Sequence, residues 1–383
     1  MEKEVIKVLQ VNAENFGAGG ISVIIWRLMT ELGDKNVRVG FLAQNRQKDK
    51  RYVDIIEAQE GKVHYIETHS NIFIRYIDRY FKCLKLLREN KYDIVHINGN
   101  EALGIISFVL AAKHSHSCKV VVHAHSTKFM NKEYLWIKKA LKTFLQPIMI
   151  HNIDCMLACS SEAAKFMYGK DAGKSIIIKN GLKYEQYAFD SIARNEVRRK
   201  MLNHDKVVIG HIGRFVYAKN HEFILKVFEK ISMKYIEAEL WLIGEQEGEI
   251  YQQVLGKIKK SGLQDKIKFC GVTENVQDYL SSMDVLVFPS RFEGLPLVLV
   301  EAQANGLPVV CSDVITQEAI FANNVKKLSL NDDVELWADE VMRLGKLKRT
   351  GMDYEKFKNS GFDIEQNANV LGKEYKYLKN KSE

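Results

Sequence analysis

The sequence predicts an α/β protein built on two doubly wound parallel sheets, and three observations carry that prediction. Short apolar runs alternate with stretches of helical periodicity in two separate series. A polar, charged stretch divides the series. The chain of 383 residues is long enough for two domains that each bury a core.

The first series opens with the apolar run Val5 to Val11, the glycine-rich turn Asn15-Phe16-Gly17-Ala18-Gly19-Gly20 and a helix from Ile21 to Leu32. Such a turn lets backbone N–H groups approach a phosphate or sugar closely. It lacks the Gly-Lys-Ser/Thr ending of a Walker loop and the Gly-x-Gly-x-x-Gly spacing, so a plain βα turn is equally consistent. Further strands are predicted at 37–43, 63–66, 93–97, 119–124, 153–158 and 175–178. Residues 185–205, with Glu196, Arg198, Arg199 and Lys200, suit a linker. The second series starts at Lys206 to Gly210, continues through strands 238–243, 266–269, 284–288 and 307–311, and ends in a helix over 332–347. Ile364 to Leu378 is a lone helix with no strand after it. Two such sheets imply a cleft at the C-terminal ends of their strands, where ligands bind.

Hydrophobic content of 46% and charged content of 27% are those of a soluble globular protein. The acids Glu2 and Glu4 stand where a signal peptide needs an apolar core, and runs such as Ile105 to Ala112 are too short to span a bilayer. The expectation is a cytoplasmic protein. Six cysteines form no Cys-x-x-Cys and read as free thiols in a reducing compartment. The net charge of +8 favours an anionic ligand or surface. No nucleic-acid reading module accompanies it.

The most informative stretch is Phe288-Pro289-Ser290-Arg291-Phe292-Glu293-Gly294-Leu295-Pro296, followed by a helix over Leu297 to Asn305. A helix start offers unpaired N–H groups and the positive end of a dipole, and so can hold an anion. Glu301 in that helix leans back toward the anion seat, and sugar or ribose hydroxyls give a carboxylate there a purpose. Strand 207–212 ends in Gly213-Arg214-Phe215, with Lys219 five residues beyond Arg214. Two cations just past a strand end would neutralise a diphosphate; read alone they fit two solvated surface cations equally well, and the Glu293 loop beside them favours the diphosphate.

His96 and His125 each follow an apolar strand, at the edge that faces a ligand crevice, and His123 shares a face with His125, so that one can serve while the other packs. For each alone, a satisfied structural histidine is the favoured reading. No carboxylate or cysteine is spaced to join them in a metal site, and the chain has no Asp-x-Asp to hold a divalent ion beside a diphosphate. No metal is expected. Residues 72–91 place Arg75, Arg79, Lys82, Lys85 and Arg88 on one stripe, with Phe73, Ile77, Tyr80, Phe81, Leu84 and Leu87 opposite. Residues 132–150 repeat the theme with Lys138, Lys139, Lys142, Trp136, Leu141, Phe144 and Leu145. A surface helix with its apolar face on the sheet is the favoured reading of each, and contact with anionic membrane the alternative.

With these residues in view, the chain resembles the family 4 retaining glycosyltransferases of the GT-B fold, most of all bacterial members that build capsule or exopolysaccharide. Arg291-Phe292-Glu293-Gly294-Leu295-Pro296-Leu297-Val298-Leu299-Val300-Glu301-Ala302 matches the family's E-x7-E signature. Gly19-Gly20, Asp93 to His96, Lys179-Asn180-Gly181, Gly213-Arg214 with Lys219, and Leu242-Ile243-Gly244 match in order and spacing. The resemblance implies two Rossmann-like domains facing across a cleft: 1–184 with the returning helix 364–383 for the acceptor, and 206–363 for a nucleotide diphosphate sugar.

It also implies roles. Arg214 and Lys219 would hold the diphosphate, Glu301 the ribose and Glu293 the transferred sugar, assisted by the N–H groups of Gly294 and Leu295. Gly19 and Gly20 fall on the turn that approaches the diphosphate from the first domain, and His125 near the sugar's 6-hydroxyl. Asn220 departs from the glycine common after the lysine, and Lys179 from the proline common before Asn-Gly. The implied reaction is metal-independent transfer with retention, from a UDP-sugar to a glycan or lipid-linked acceptor, at or near the inner face of the cell membrane. A UDP-sugar 2-epimerase on the same fold and a non-catalytic subunit of a transferase complex are the alternatives.

Overall fold

In the computed structural model, the described residues are 5–12, 20–33, 36–43, 50–67, 69, 71–129, 135–201 and 206–381. They form two compact units, residues 1–182 with 361–383, and residues 183–360.

The first unit holds β1 (Ile6–Val11), β2 (Val37–Ala43), β3 (Val63–Tyr65), β4 (Ile94–Gly99), β5 (Lys119–Ala124), β6 (Cys155–Ala158) and β7 (Ile176–Ile177). They pair in parallel in the order β3-β2-β1-β4-β5-β6-β7. The order reverses between β1 and β4, the switch point of a doubly wound sheet. The central strands are apolar on both faces because helices cover both, which is what a parallel sheet requires. The helix Ile364–Asn380 belongs to this unit and packs on the helix Gly20–Gly33 and on β1. Its entry is pinned where Leu182 pairs with Asp363, and Asn367 donates to Lys179 O at 2.9 Å.

The second unit repeats the plan with β8 (Val207–Ile212), β9 (Ala238–Ile243), β10 (Ile267–Gly271), β11 (Val285–Phe288), β12 (Val309–Ser312) and β13 (Val325–Leu328). Their order is β10-β9-β8-β11-β12-β13, so β8 and β11 flank its switch point. The doubly wound parallel architecture expected from the sequence is present in both units.

Three expectations are corrected. The stretch 185–205 is no linker: its described part carries the helix Ser191–Met201, which packs on the helix Val276–Ser282. Arg194 and Arg198 bind Asp284 at 2.5 and 3.0 Å, and Arg194 also caps the carbonyls of Ser281, Ser282 and Met283. The charge there is anchoring at a helix C-terminus, where cations are favoured. The strand β13 was not anticipated, because Lys326 and Lys327 interrupt its apolar run. Finally, the apolar sides assigned to the two basic helices are only partly buried. In Ile72–Glu89 the core takes Cys83, Leu84, Leu86 and Leu87, whereas Ile77 and Phe81 face solvent. In Leu135–His151, Trp136, Leu141 and Phe144 are exposed while Leu145 packs on the core.

Candidate active site

The charged constellation lies at the switch point of the second unit. β8 delivers Gly213 and Arg214 at its C-terminal end, and β11 delivers the loop from Pro289 to Pro296. Four hydrogen bonds and one ring contact tie the two loops together. Arg291 N donates to Ala218 O at 2.8 Å, and its Nη1 to Tyr217 O at 2.7 Å, with the guanidinium over the Tyr217 ring. Asn220 Nδ2 donates to Pro289 O at 3.1 Å. Lys219 Nζ meets Glu293 Oε1 at 2.7 Å, and both side chains are largely buried. The structure thus brings Lys219 and Glu293 into direct contact although they are 74 residues apart.

Asn220 explains how the loop turns without the expected glycine. Its φ of 57° and ψ of 44° lie in the left-handed region, which asparagine tolerates better than most residues. The side chain then adds the bond to Pro289 that a glycine could not supply. Gly244, at the end of β9, is required for a different reason: a Cβ there would sit 2.2 Å from Gly213 O, against backbone that cannot yield. The close approach of Gly244 therefore sets the position of Gly213 and Arg214.

Arg214 itself is exposed, and its guanidinium has no partner among the described residues. Lys219 Nζ also lies 4.7 Å from the Phe288 ring centroid. Gly294 is exposed, and a Cβ on it would meet nothing within 4 Å, so no packing within the chain calls for a bare backbone. The helix Leu297–Ala304 follows with no side-chain cap at Pro296, which leaves its leading N–H groups open to a ligand. Glu301 is buried in this helix.

Beneath Lys219 lie two histidines that sequence reasoning missed. His211 Nδ1 donates to Val287 O at 2.9 Å, which fixes the neutral tautomer with Nε2 as an acceptor. Burial, then the neighbouring His221, hold its pKa well below the ordinary value. His221 stacks on Phe215 with centroids 4.1 Å apart, and burial followed by the Lys219 charge pushes its pKa down to about 4. A histidine inside an apolar strand was the available signal for His211.

In the first unit, His125 belongs to a buried polar row. His125 Nε2 donates to Asn98 Oδ1 at 3.0 Å, and Asn98 Nδ2 donates to Gln10 Oε1 at 2.9 Å. His123 lies 4.2 Å from the His125 ring and 5.4 Å from that of His96, which bonds Tyr375 OH at 2.5 Å. Burial is the first cause that keeps all three imidazoles neutral, with His123 pushed down to about 3. Gly20 opens the helix that follows β1, and Gly19 lies outside the described residues. Among the described residues no group of three or more His, Cys, Asp or Glu is clustered to hold a metal ion.

This double sheet with its acid–base loop pair defines a class. Residues 18–186 match the family described as Glycosyltransferase Family 4, and residues 206–346 match Glycosyl transferases group 1. The chain belongs to these glycosyltransferases, and it is a transferase enzyme of the GT-B fold.

Among relatives, EpsF of Bacillus subtilis is 26% identical over 97% of this chain and 95% of its own length. The capsular polysaccharide biosynthesis glycosyltransferase CapH of Staphylococcus aureus is 24% identical, covering 84% of this chain and 86% of its own. An Escherichia coli UDP-Gal:alpha-D-GlcNAc-diphosphoundecaprenol alpha-1,3-galactosyltransferase is 26% identical over 68% of each chain. Of solved structures, a Rickettsia africae glycosyltransferase superposes with a TM-score of 0.79 at 15% identity, covering 98% of this chain and 99% of its own. HepE of Anabaena, solved with UDP and glucose, gives 0.68 at 15% identity over 98% of each chain.

Proposed function

We propose that this enzyme transfers a sugar, with retention and without a metal, from a UDP-sugar to a glycan or lipid-linked acceptor in the synthesis of a bacterial surface polysaccharide. The observation that carries the reading is the switch-point constellation of the second unit: Arg214 unpartnered, Lys219 on Glu293, and Gly294 bare of any packing reason. The diphosphate would lie against Arg214, Lys219 and the N–H groups of Gly294 and Leu295, the ribose on Glu301 and the sugar on Glu293. The first unit would take the acceptor, and the donor-contact roles that the resemblance implies for Gly19, Gly20 and His125 are part of the same proposal. The names of the relatives support the class of pathway, and HepE and the E. coli enzyme support UDP.

In the reaction, the bond from the sugar's anomeric carbon to the diphosphate oxygen breaks as the bond to the acceptor oxygen forms on the same face. The acceptor's proton passes to the departing phosphate oxygen. Arg214, Lys219 and the open helix start stabilise the charge that grows on the diphosphate, and preorganised charges of this kind are often the largest catalytic contribution. Neutral His125 would present its unprotonated Nδ1 as a hydrogen-bond acceptor rather than as a charge.

A thermal-shift screen of the full chain with UDP-, GDP- and ADP-sugars tests the donor, since a ligand that binds only the folded state raises the melting temperature. A rise with UDP-sugars is expected. No response to any nucleotide would favour a non-catalytic subunit, and turnover of UDP-GlcNAc without acceptor would favour a 2-epimerase.

A further inference from the structure

We propose that the first unit docks on an anionic lipid bilayer through the solvent faces of the helices Ile72–Glu89 and Leu135–His151. The proposal builds on the acceptor reading above, because a lipid-linked acceptor lies at a bilayer surface. Its evidence is separate.

The two helices flank the helix Ala102–Ser115, which packs against both and is itself largely buried. Their own outer faces carry side chains that a water-facing helix does not need. Trp136 is 74% exposed, Phe144 69%, Phe81 62% and Ile77 61%. On Ile72–Glu89 the exposed positions Ile74, Ile77, Phe81, Lys85 and Arg88 follow one another at helical spacing, apolar first and basic after. On Leu135–His151 the exposed Trp136, Ala140, Phe144 and Ile148 recur every four residues, and the helix has Lys138, Lys139 and Lys142 but no acid.

Large apolar side chains flanked by cations are the composition of a helix that lies in a headgroup layer. Arg88 and Lys139 have no carboxylate partner among the described residues, so their charge is available to anionic lipid; Lys85 lies 3.8 Å from Glu89. No helix among the described residues is long and apolar enough to cross a membrane, so the contact is peripheral. A protein partner would also cover apolar surface. The basic flanks and the absence of any acid from Leu135–His151 favour lipid.

The test uses the full chain and vesicles of phosphatidylcholine with or without phosphatidylglycerol. Binding is expected to the mixed vesicles, to weaken as salt rises, and to fall at least about tenfold in Ile77→Ser/Phe81→Ser and in Trp136→Ser/Phe144→Ser. Trp241 and Trp337 are fully buried and Trp26 is half-buried against Tyr52, so a blue shift of tryptophan emission on binding should fall sharply in Trp136→Phe and survive in Trp26→Phe. These side chains are exposed, so the variants should keep their melting temperature. Failure to bind mixed vesicles, or unchanged binding by both double variants, overturns the proposal. So does a wild-type dimer that the same substitutions dissociate without vesicle binding, which would assign the face to a second copy. UDP binding is measured on the same preparations: its survival when vesicle binding fails removes the docking face alone, and its absence removes the donor reading.

Discussion

The two units share one strand order and differ in what they place at its reversal. Gln10 in β1 and His211 in β8 occupy the penultimate position of corresponding strands, and both are buried. Around Gln10 the first unit gathers, among the described residues, the uncharged groups Asn98, His96, His123 and His125, joined by amide and imidazole hydrogen bonds and by ring contacts. Beside His211 the second unit places Lys219, Glu293 and Arg214. The same topology thus provides a crevice twice, and the loops decide which one carries charge. Under the proposed function, one end would offer shape and hydrogen bonds to hydroxyls, and the other would stabilise a leaving diphosphate.

Removing the charge should hurt most. Arg214→Ala is expected to lower kcat/KM by roughly a hundredfold or more, the scale of deleting one preorganised charge at a reacting centre. Glu301→Ala, which removes the carboxylate proposed for the ribose, is expected to lose most transfer as well. Circular dichroism should remain that of wild type for Arg214→Ala, whose side chain is exposed. Near-normal turnover in either variant would erase the distinction between the two crevices.

Backbone geometry comes next. Gly244→Ala forces a Cβ onto Gly213 O and should cost about 1–3 kcal/mol in a urea titration, as overpacking does. It should weaken UDP binding as well, because the displaced residue precedes Arg214. Gly294→Ala is the contrast: stability unchanged, donor affinity reduced, since its Cβ meets only the space assigned to ligand.

The Lys219–Glu293 pair yields a smaller, signed effect. Under the proposed function a diphosphate would compete with Glu293 for the ammonium group, so Glu293→Gln should tighten UDP by about fivefold, the loss of a pair worth about 1 kcal/mol. Turnover of the UDP-sugar should fall in the same variant. Calorimetry with UDP alone checks the sign.

Both polar clusters predict acid sensitivity. Burial holds the folded pKa of His123 at about 3 and of His221 at about 4, below the unfolded value of 6.5. Unfolded chains then bind more protons, so this contribution is complete above about 6.5 and lost as pH falls toward the folded values. Melting temperature should decline from pH 6.5 to 4.5, less steeply in His221→Phe. The pH–rate profile should show no histidine step near neutrality that His125→Asn removes.

Much of this architecture was legible in the chain. Apolar runs gave twelve of the strands their places, because strands covered on both faces must be apolar throughout. β13 escaped because an edge strand can carry lysines, which also discourage pairing with other chains. The helix Ser191–Met201 looked like linker because its arginines bind carbonyls and Asp284, contacts that no periodicity reports. Periodicity likewise found the helices Ile72–Glu89 and Leu135–His151 but could not say that Ile77, Phe81, Trp136 and Phe144 point away from the core. At the candidate site, Arg214, Lys219, Glu293 and Glu301 stood out by residue type and spacing. The Asn220 bridge and the Arg291 ties did not, since each depends on a partner some 70 residues away.

The central claim is that Lys219 leaves Glu293 for a diphosphate seated with Arg214 at the β8–β11 crevice. A crystal structure of the full chain with UDP tests it directly. The account predicts phosphate oxygens on Arg214, Lys219 and the N–H groups of Gly294 and Leu295, with the Lys219–Glu293 pair opened. UDP bound elsewhere, or bound with that pair still closed, would contradict it.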